Sequence, residues 1–307
     1  MLKYRKVFYL ISGLLVIASV ISLAIFRLNL GIDFEGGTLL EVNFENRRPS
    51  HEEARNKLSE LGLGSTVIQD VDETGLILRF KAVEVTEGDA SGEFNVGEAR
   101  HQEILAKLRD LGPLEENRFD SIGPVIGEET KEKSIWAISL VVVMIMVYIA
   151  WAFKGVSFPL RSWKYGIVAV IALFHDIIIT AGVFSAVGYF FNVEVGMPFV
   201  AALLTILGYS VNDTIIIFDR IRENVLREGS IFDFGKVINK SVSQTFVRSI
   251  NTSLTTLFVL ICILLFGGET LKYFGLTLAI GIVVGTYSSI FLASPLLFSW
   301  SVLKLKK

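Results

Sequence analysis

Cysteine occurs once, as Cys262, so the chain can form no internal disulfide and offers no cysteine-based metal site. Histidine is nearly as scarce. His51, His101 and His175 stand far apart, and no Cys or His pair has metal-ligand spacing. An excess of one charge is also missing. The formal net charge is −2, which implies no strongly acidic or basic partner and no nucleic acid. Charged residues make up 20% of the chain, yet several long stretches hold almost none.

Apolar residues fill those stretches. They are 52% of the chain, where a soluble domain has about 45–50%. Six runs are long enough to cross about 30 Å of hydrocarbon as helices: Val7–Phe26, Ser134–Phe153, Tyr165–Phe190, Phe199–Phe218, Ser249–Phe266 and Tyr273–Trp300. The first exceeds the apolar core of a signal peptide, about 7–15 residues, and is read as an uncleaved helix. Lys3, Arg5 and Lys6 precede it. Lys154, Arg161 and Lys164 separate the second and third runs. Arg220, Arg222, Arg227, Lys236, Lys240 and Arg248 lie between the fourth and fifth, and Lys304, Lys306 and Lys307 follow the sixth. Basic loops stay in the cytoplasm, so both termini are expected inside and the stretch from Arg27 to Lys133 outside. The expected organisation is a first membrane helix over 1–27, an outer domain over 28–133, and five further helices over 134–307. An interfacial helix is expected near 230–247, where Ile231, Phe234, Ile238, Val242 and Phe246 recur at helical spacing.

The outer stretch reads as six elements. Strands are expected at Thr38–Phe44, Thr66–Val71, Leu76–Phe80 and Arg118–Val125, with helices at Pro49–Gly62 and Gly97–Gly112. Asp72-Glu73-Thr74-Gly75 is a hairpin turn. The order β-α-β-β-α-β is the ferredoxin-like split βαβ arrangement. Val83–Asn95 is polar and glycine-rich and reads as a loop. His51 and His101 are expected to be solvated helix residues, and the domain to be a binding or packing module.

Polar and ionisable side chains inside the apolar runs are costly and mark function. The third run holds His175 and Asp176, with Thr180 one turn on. The fourth holds Ser210, Asn212, Asp213 and Thr214. The fifth opens on Arg248, followed by Asn251, Thr252, Ser253, Thr255 and Thr256. At about 1.5 Å per residue, all three clusters fall in the cytoplasmic half of the membrane. Burial penalises a carboxylate and a nearby guanidinium restores it. An Arg248 that approaches and withdraws would therefore switch Asp213 between releasing and binding a proton. The plainer readings are helix packing for the small polar residues, a structural pair for His175 and Asp176, and a snorkelling boundary residue for Arg248.

Directly after the first run stands Gly31-Ile32-Asp33-Phe34-Glu35-Gly36-Gly37-Thr38. This string resembles the signature shared across the SecD/SecF family. Leu207-Gly208-Tyr209-Ser210-Val211-Asn212-Asp213-Thr214, running on to Phe218-Asp219-Arg220-Ile221-Arg222-Glu223-Asn224, resembles the SecF branch of that family rather than the SecD branch. Arg248 to Thr256 and Leu173-Phe174-His175-Asp176 also fit, and the resemblance covers nearly the whole chain. It implies an α-helical membrane protein of six transmembrane helices, half of an RND-type bundle, with one α+β ferredoxin-like periplasmic domain. It further implies a SecD partner, the SecYEG channel, YajC as an associate, unfolded preprotein as substrate, and protons as the coupling ion with no other cofactor. The family's proton-linked positions fall on Asp213 and Arg248, with His175, Asp176, Ser210, Asn212, Asn251 and Thr252 as possible supporting residues. The family's other proton carrier belongs to the SecD partner.

Three further classes remain in view. An RND-type exporter of small molecules or lipids shares the six-helix half, and a passive scaffold for translocon assembly shares everything except ionising Asp213 and Arg248. An intramembrane protease is disfavoured by motif. Val211 and Asn212 precede Asp213 where membrane aspartyl proteases carry Gly-x-Gly-Asp, and no Gly-x-Ser-x-Gly candidate exists.

Overall fold

The computed structural model describes residues 1–61, 63, 66–80, 95–154, 161–228 and 233–305. The chain divides into a helical unit, Met1–Asn29 with Ser134–Lys307, and a sheet unit, Leu30–Lys133.

The sheet unit contains α2 (Ile32–Glu35), β1 (Gly37–Phe44), α3 (His51–Ser59), β2 (Thr66–Val71), β3 (Gly75–Phe80), α4 (Asn95–Arg109) and β4 (Leu114–Ile122). Its sheet order is β2-β3-β1-β4 with every neighbour antiparallel, the ferredoxin-like topology. Leu40, Val42 and Phe44 alternate inward along β1 and meet Leu76 and Leu78 of β3. Ala54 and Leu58 of α3 and Ile104, Leu105 and Leu108 of α4 close the core over them. Helix α3 begins at His51 rather than Pro49, with Ser50 as its N-cap. The Ser50 hydroxyl accepts from the Glu53 amide at 3.2 Å and Glu53 accepts from the Ser50 amide at 2.7 Å, a reciprocal cap that satisfies two orphan donors.

The last strand ends at Ile122, not Val125, because Pro124 fixes a helical φ and opens the next helix. That helix, α5 (Pro124–Ala152), starts ten residues before the apolar run it carries. Lys133–Glu129 at 2.7 Å and Lys131–Glu128 at 3.6 Å run along its charged first turns. His101 also departs from expectation. It stacks on Phe119 at 3.9 Å between ring centroids and reaches Glu116 at 2.9 Å, so it packs on β4 instead of facing water. His51 pairs with Asp70 at 2.7 Å. Of the expected loop at Val83–Asn95, residues 83–94 lie outside the described residues, and Asn95 opens α4.

The glycine pair of the signature has a local reason. Gly36 has φ +73°, and a Cβ there would meet Pro124 Cα at 2.7 Å; Gly37 has φ +139°, and a Cβ would meet the Phe80 carbonyl oxygen at 2.6 Å. Only a residue without Cβ fits both the conformation and the contact.

The helical unit contains α1 (Arg5–Phe26), the remainder of α5, α6 (Ser162–Phe191), α7 (Met197–Glu228), α8 (Phe234–Phe266), α9 (Glu269–Ser288), a π turn (Ser289–Ala293) and α10 (Ser294–Leu305). Six helices are long and apolar enough to cross a membrane, with α9, the π turn and α10 forming the sixth. Helices α6, α7 and α9 are the packed centre, while α1, α5 and α8 leave most of their apolar surface outward, as lipid or a partner would demand. Small residues allow close approach. A Cβ on Gly182 of α6 would fall 2.3 Å from Ser19 Cβ of α1, and the Ser22 hydroxyl donates to the Gly182 carbonyl at 2.8 Å. The chain ends gather at one end of this unit: Tyr9 bonds Ser299 at 2.9 Å, and Arg5 lies 4.9 Å from the Phe298 ring.

A separate interfacial helix near 230–247 is not what forms. Phe234–Phe266 is one continuous helix. Its sequence after Gly235 has no glycine or proline to break it. Its first turns pack on α7 along one face: Val237, Ile238, Ser241 and Val242 are buried, and Asn224 of α7 donates to Ser241 at 2.8 Å and Gln244 at 2.9 Å.

Candidate functional site

The two intramembrane carboxyls come to rest in separate hydrogen-bonded clusters on α7's flanks. Asp176, on α6, is 1% exposed. Its Oδ2 accepts from Ser210 of α7 at 2.5 Å and from Ser288 of α9 at 2.8 Å, and its Oδ1 lies 2.9 Å from His175 Nδ1. A buried carboxyl without partners would be prohibitive in a helix bundle, and here three helices supply them. The second ring nitrogen of His175, Nε2, is buried and has no hydrogen-bond partner.

Asp213, on α7, is 4% exposed. Its Oδ1 accepts from Ser249 of α8 at 2.8 Å, and its Oδ2 is buried with no partner. Below it Ser253 bonds the Ser249 carbonyl and lies 2.5 Å from Thr286 of α9, with Tyr209 donating to Ser253 at 3.3 Å. Thr214 and Ser289 lie 2.8 Å apart, and Ser289 reaches the Ser210 carbonyl at 3.4 Å. Ser289 begins the π turn, a local widening of the helix that recurs at functional sites.

Arg248 makes no ion pair with Asp213. It is exposed and lines a cleft of about 460 Å³ with Asp219, Arg220, Arg222, Glu223 and Gln244. Arg220 pairs with Glu223 at 2.6 Å and Arg222 with Asp219 at 3.7 Å. Asn212, Asn251 and Thr252 are exposed as well, and Thr252 donates to the Arg248 carbonyl at 2.9 Å. So Asp213, Ser210, Asp176 and His175 are interior, while Arg248, Asn212, Asn251 and Thr252 face outward. Asp33 and Phe34, with Ile32, form the short turn α2 ahead of Gly36 and Gly37, and Gly31 precedes it. Four participating residues escaped the sequence reading: Ser249, Thr286, Ser288 and Ser289. The signal of the last three is the polar run Thr286-Tyr287-Ser288-Ser289 inside an apolar helix.

Comparison with known proteins decides the family. Residues 103–302 match the family described as "Protein export membrane protein SecD/SecF, C-terminal", and residues 21–46 match the SecD/SecF GG motif. The chain belongs to the SecD/SecF family. Its relatives place it on the SecF side. It is 45% identical over 305 residues to the protein translocase subunit SecF of Thermobaculum terrenum, covering 97% of this chain and 92% of that one. It is 40% identical to the SecF of Sebaldella termitidis, covering 97% and 90%. The crystal structure of SecDF, a translocon-associated membrane protein from Thermus thermophilus, superposes with a TM-score of 0.78 at 30% identity, covering 97% of this chain. The chain spans 38% of that longer protein. As a SecD/SecF member with six apolar helices it is a multi-pass membrane protein of protein export, a transport subunit and not an enzyme.

Proposed function

We propose that this SecF-type chain joins a SecD partner in the bacterial inner membrane, and that the pair spends proton-motive force on late steps of preprotein export through the SecYEG channel, with YajC as an associate. The observation that carries the proton-coupled reading is the half-satisfied Asp213 carboxyl, with one oxygen on Ser249 and the other buried and unpartnered. Such a group is poised to change partners or charge. The SecD half is supported by the likeness of this chain to one part of the longer SecDF protein.

Orientation follows from charge. Arg5, Lys164 and the basic residues between α7 and α8 belong on the cytoplasmic side. The common end at which Tyr9 meets Ser299 supports a reading with both termini inside and residues 30–133 in the periplasm. Arg248 is exposed, and no carboxylate among the described residues lies within ion-pair distance of it, although its charge is felt by Asp213. It is available to a SecD carboxylate when the pair assembles.

Export of a secretory precursor into energised inverted vesicles tests this reading, with the partner subunit co-expressed. Asp213→Asn and Arg248→Met are expected to abolish the dependence of late translocation on proton-motive force while the complex still assembles. If both variants assemble and export like wild type, the chain is a passive scaffold.

A further inference from the structure

We propose that His175 is a second proton-exchange site of the helical unit, with Nε2 as the atom that takes and releases the proton. The inference rests on the proton-coupled reading above and adds a site to it. The Ser210 hydroxyl donates to Asp176 Oδ2 at 2.5 Å, and the Ser288 hydroxyl, which also reaches the Gly285 carbonyl at 3.1 Å, lies 2.8 Å from the same oxygen. That leaves Oδ1 facing His175 Nδ1 at 2.9 Å, and we assign the proton of this bond to Nδ1. A histidine whose Nδ1–H is fixed on a carboxylate presents its other nitrogen as a bare lone pair, the arrangement that defines the tautomer in histidine bases. That nitrogen is buried, in a residue only 5% exposed, and no described residue bonds it.

The surroundings leave few other titratable groups. The Tyr287 ring of α9 lies 6.2 Å from the His175 ring, but its hydroxyl is engaged with Ser12 at 3.3 Å and with the Phe8 carbonyl at 3.3 Å on α1. Helix α1 from Val7 to Phe26 contributes only Tyr9, which is bonded to Ser299. The π turn Ser289–Ala293 contributes none. On α7 the nearest carboxyl is Asp213, three residues past Ser210 and occupied with Ser249. Asp176 is therefore the one carboxyl in direct contact among the described residues, and as a carboxylate it would offset the charge an imidazolium would bring.

The step balances simply. A hydronium O–H bond breaks, an N–H bond forms at Nε2, and the ring gains one positive charge beside the Asp176 carboxylate. Release to water reverses it. The two carboxyl clusters meet on α7, where Ser210 serves Asp176 and its carbonyl accepts from Ser289, which pairs with Thr214 beside Asp213. Protonation at His175 would thus be felt by the helix that carries Asp213.

Two measurements test this on the full chain reconstituted with its partner subunit. First, ¹⁵N-histidine spectra are recorded from pH 5 to 9, and the His175 signals are assigned by difference from His175→Gln. The expected result is one titration at Nε2 with Nδ1 protonated throughout. Ring nitrogens that keep their shifts across the range overturn the proposal, whatever the export assay gives. Second, gradient-driven export is measured against pH for wild type, His175→Gln and Asp213→Asn. Loss of most of the gradient-dependent increment in His175→Gln, with a flattened pH profile, supports the site. A wild-type profile in His175→Gln together with loss in Asp213→Asn overturns the His175 site and leaves the coupling reading standing. Unaltered gradient dependence in Asp213→Asn overturns the coupling reading instead, and titration at Nε2 then stands alone as evidence for the histidine site.

Discussion

Asp213 Oδ1 and Ser249 Oγ are joined by a 2.8 Å hydrogen bond between α7 and α8, and Ser249 directly follows Arg248 in the chain. The carboxyl that would carry the proton is thereby tied to the helix turn that carries the guanidinium. A shift of that turn changes both at once. Ser249→Ala removes the donor and leaves both carboxyl oxygens without a protein partner. A buried acceptor left unsatisfied costs about 1–3 kcal/mol, so the variant is expected to melt lower in detergent. Ser249→Thr keeps the hydroxyl and should recover most of the loss. Equal melting of Ser249→Ala and wild type would mean that the bond contributes nothing.

Asp176 is the more heavily bonded carboxyl, and its removal should hurt stability more. Asp176→Ala strands Ser210 and His175 Nδ1, each a buried polar group worth about 1–3 kcal/mol when unpaired, while Ser288 keeps its bond to the Gly285 carbonyl at 3.1 Å. The variant Asp176→Leu, His175→Leu, Ser210→Ala, Ser288→Ala replaces the cluster with apolar groups and should be closer to wild type than Asp176→Ala alone. Thermal unfolding of the three proteins gives the ranking. A quadruple variant less stable than the single one would show that the cluster is more than mutually satisfied polarity.

The α1–α6 contact offers a steric test. A methyl group on Gly182 would sit 2.3 Å from Ser19 Cβ, and overpacking of this kind costs about 1–3 kcal/mol. Gly182→Ala should destabilise the helical unit, and Ser19→Gly in the same chain should relieve it only in part, because Ser19 Cα, a backbone atom, would still lie 2.5 Å from the new methyl group. Non-additive melting temperatures in the double-variant cycle are the expected signature, and strict additivity would refute the contact.

Much of this architecture is legible in the sequence because apolar run length and strand alternation are strong local signals. Leu40, Val42 and Phe44 declare β1, and the spacing of Ile104, Leu105 and Leu108 declares the buried face of α4. Helix limits are weaker. Pro124 starts α5 well outside the apolar run because helix continuity depends on backbone and capping rather than hydropathy, and α8 runs unbroken through a segment whose spacing looks interfacial. The pairing inside the membrane was the least legible. Asp213 and His175 stand out as ionisable residues in apolar runs, but Ser288 and Ser289 are ordinary small polar residues until α9 is laid against α6 and α7. Which hydroxyl meets which carboxyl is set by helix rotation, and that is a tertiary property.

The glycine pair gives a prediction in the sheet unit. Gly36→Ala combines φ +73° with a Cβ 2.7 Å from Pro124 Cα, a backbone atom that cannot move aside. Strain of this kind costs about 1–3 kcal/mol. Gly123→Ala, a few residues from the same junction, meets nothing within 4 Å and serves as the control. Protease sensitivity of residues 30–133 should rise in Gly36→Ala and stay at the wild-type level in Gly123→Ala.

The cap of α3 makes stability depend on pH in a definite direction. The Ser50 amide and hydroxyl hold the Glu53 carboxyl below its ordinary value, with the backbone hydrogen bond the larger cause. A group whose folded value is depressed adds stability that is fully present above its unfolded value and is lost as pH falls through the folded one. The stabilisation should therefore be complete at neutral pH and disappear on acidification past the normal glutamate range. Glu53→Gln keeps an acceptor for the Ser50 amide but cannot titrate. The melting temperature of wild type should exceed that of Glu53→Gln near pH 7, and the gap should close as pH drops. Ser50→Ala removes the other half of the cap, costs about 1 kcal/mol, and should shrink the gap at neutral pH because the Glu53 carboxyl then loses one of its two ties. A gap that widens toward acid would place the cap's energy elsewhere than in the ionised carboxyl.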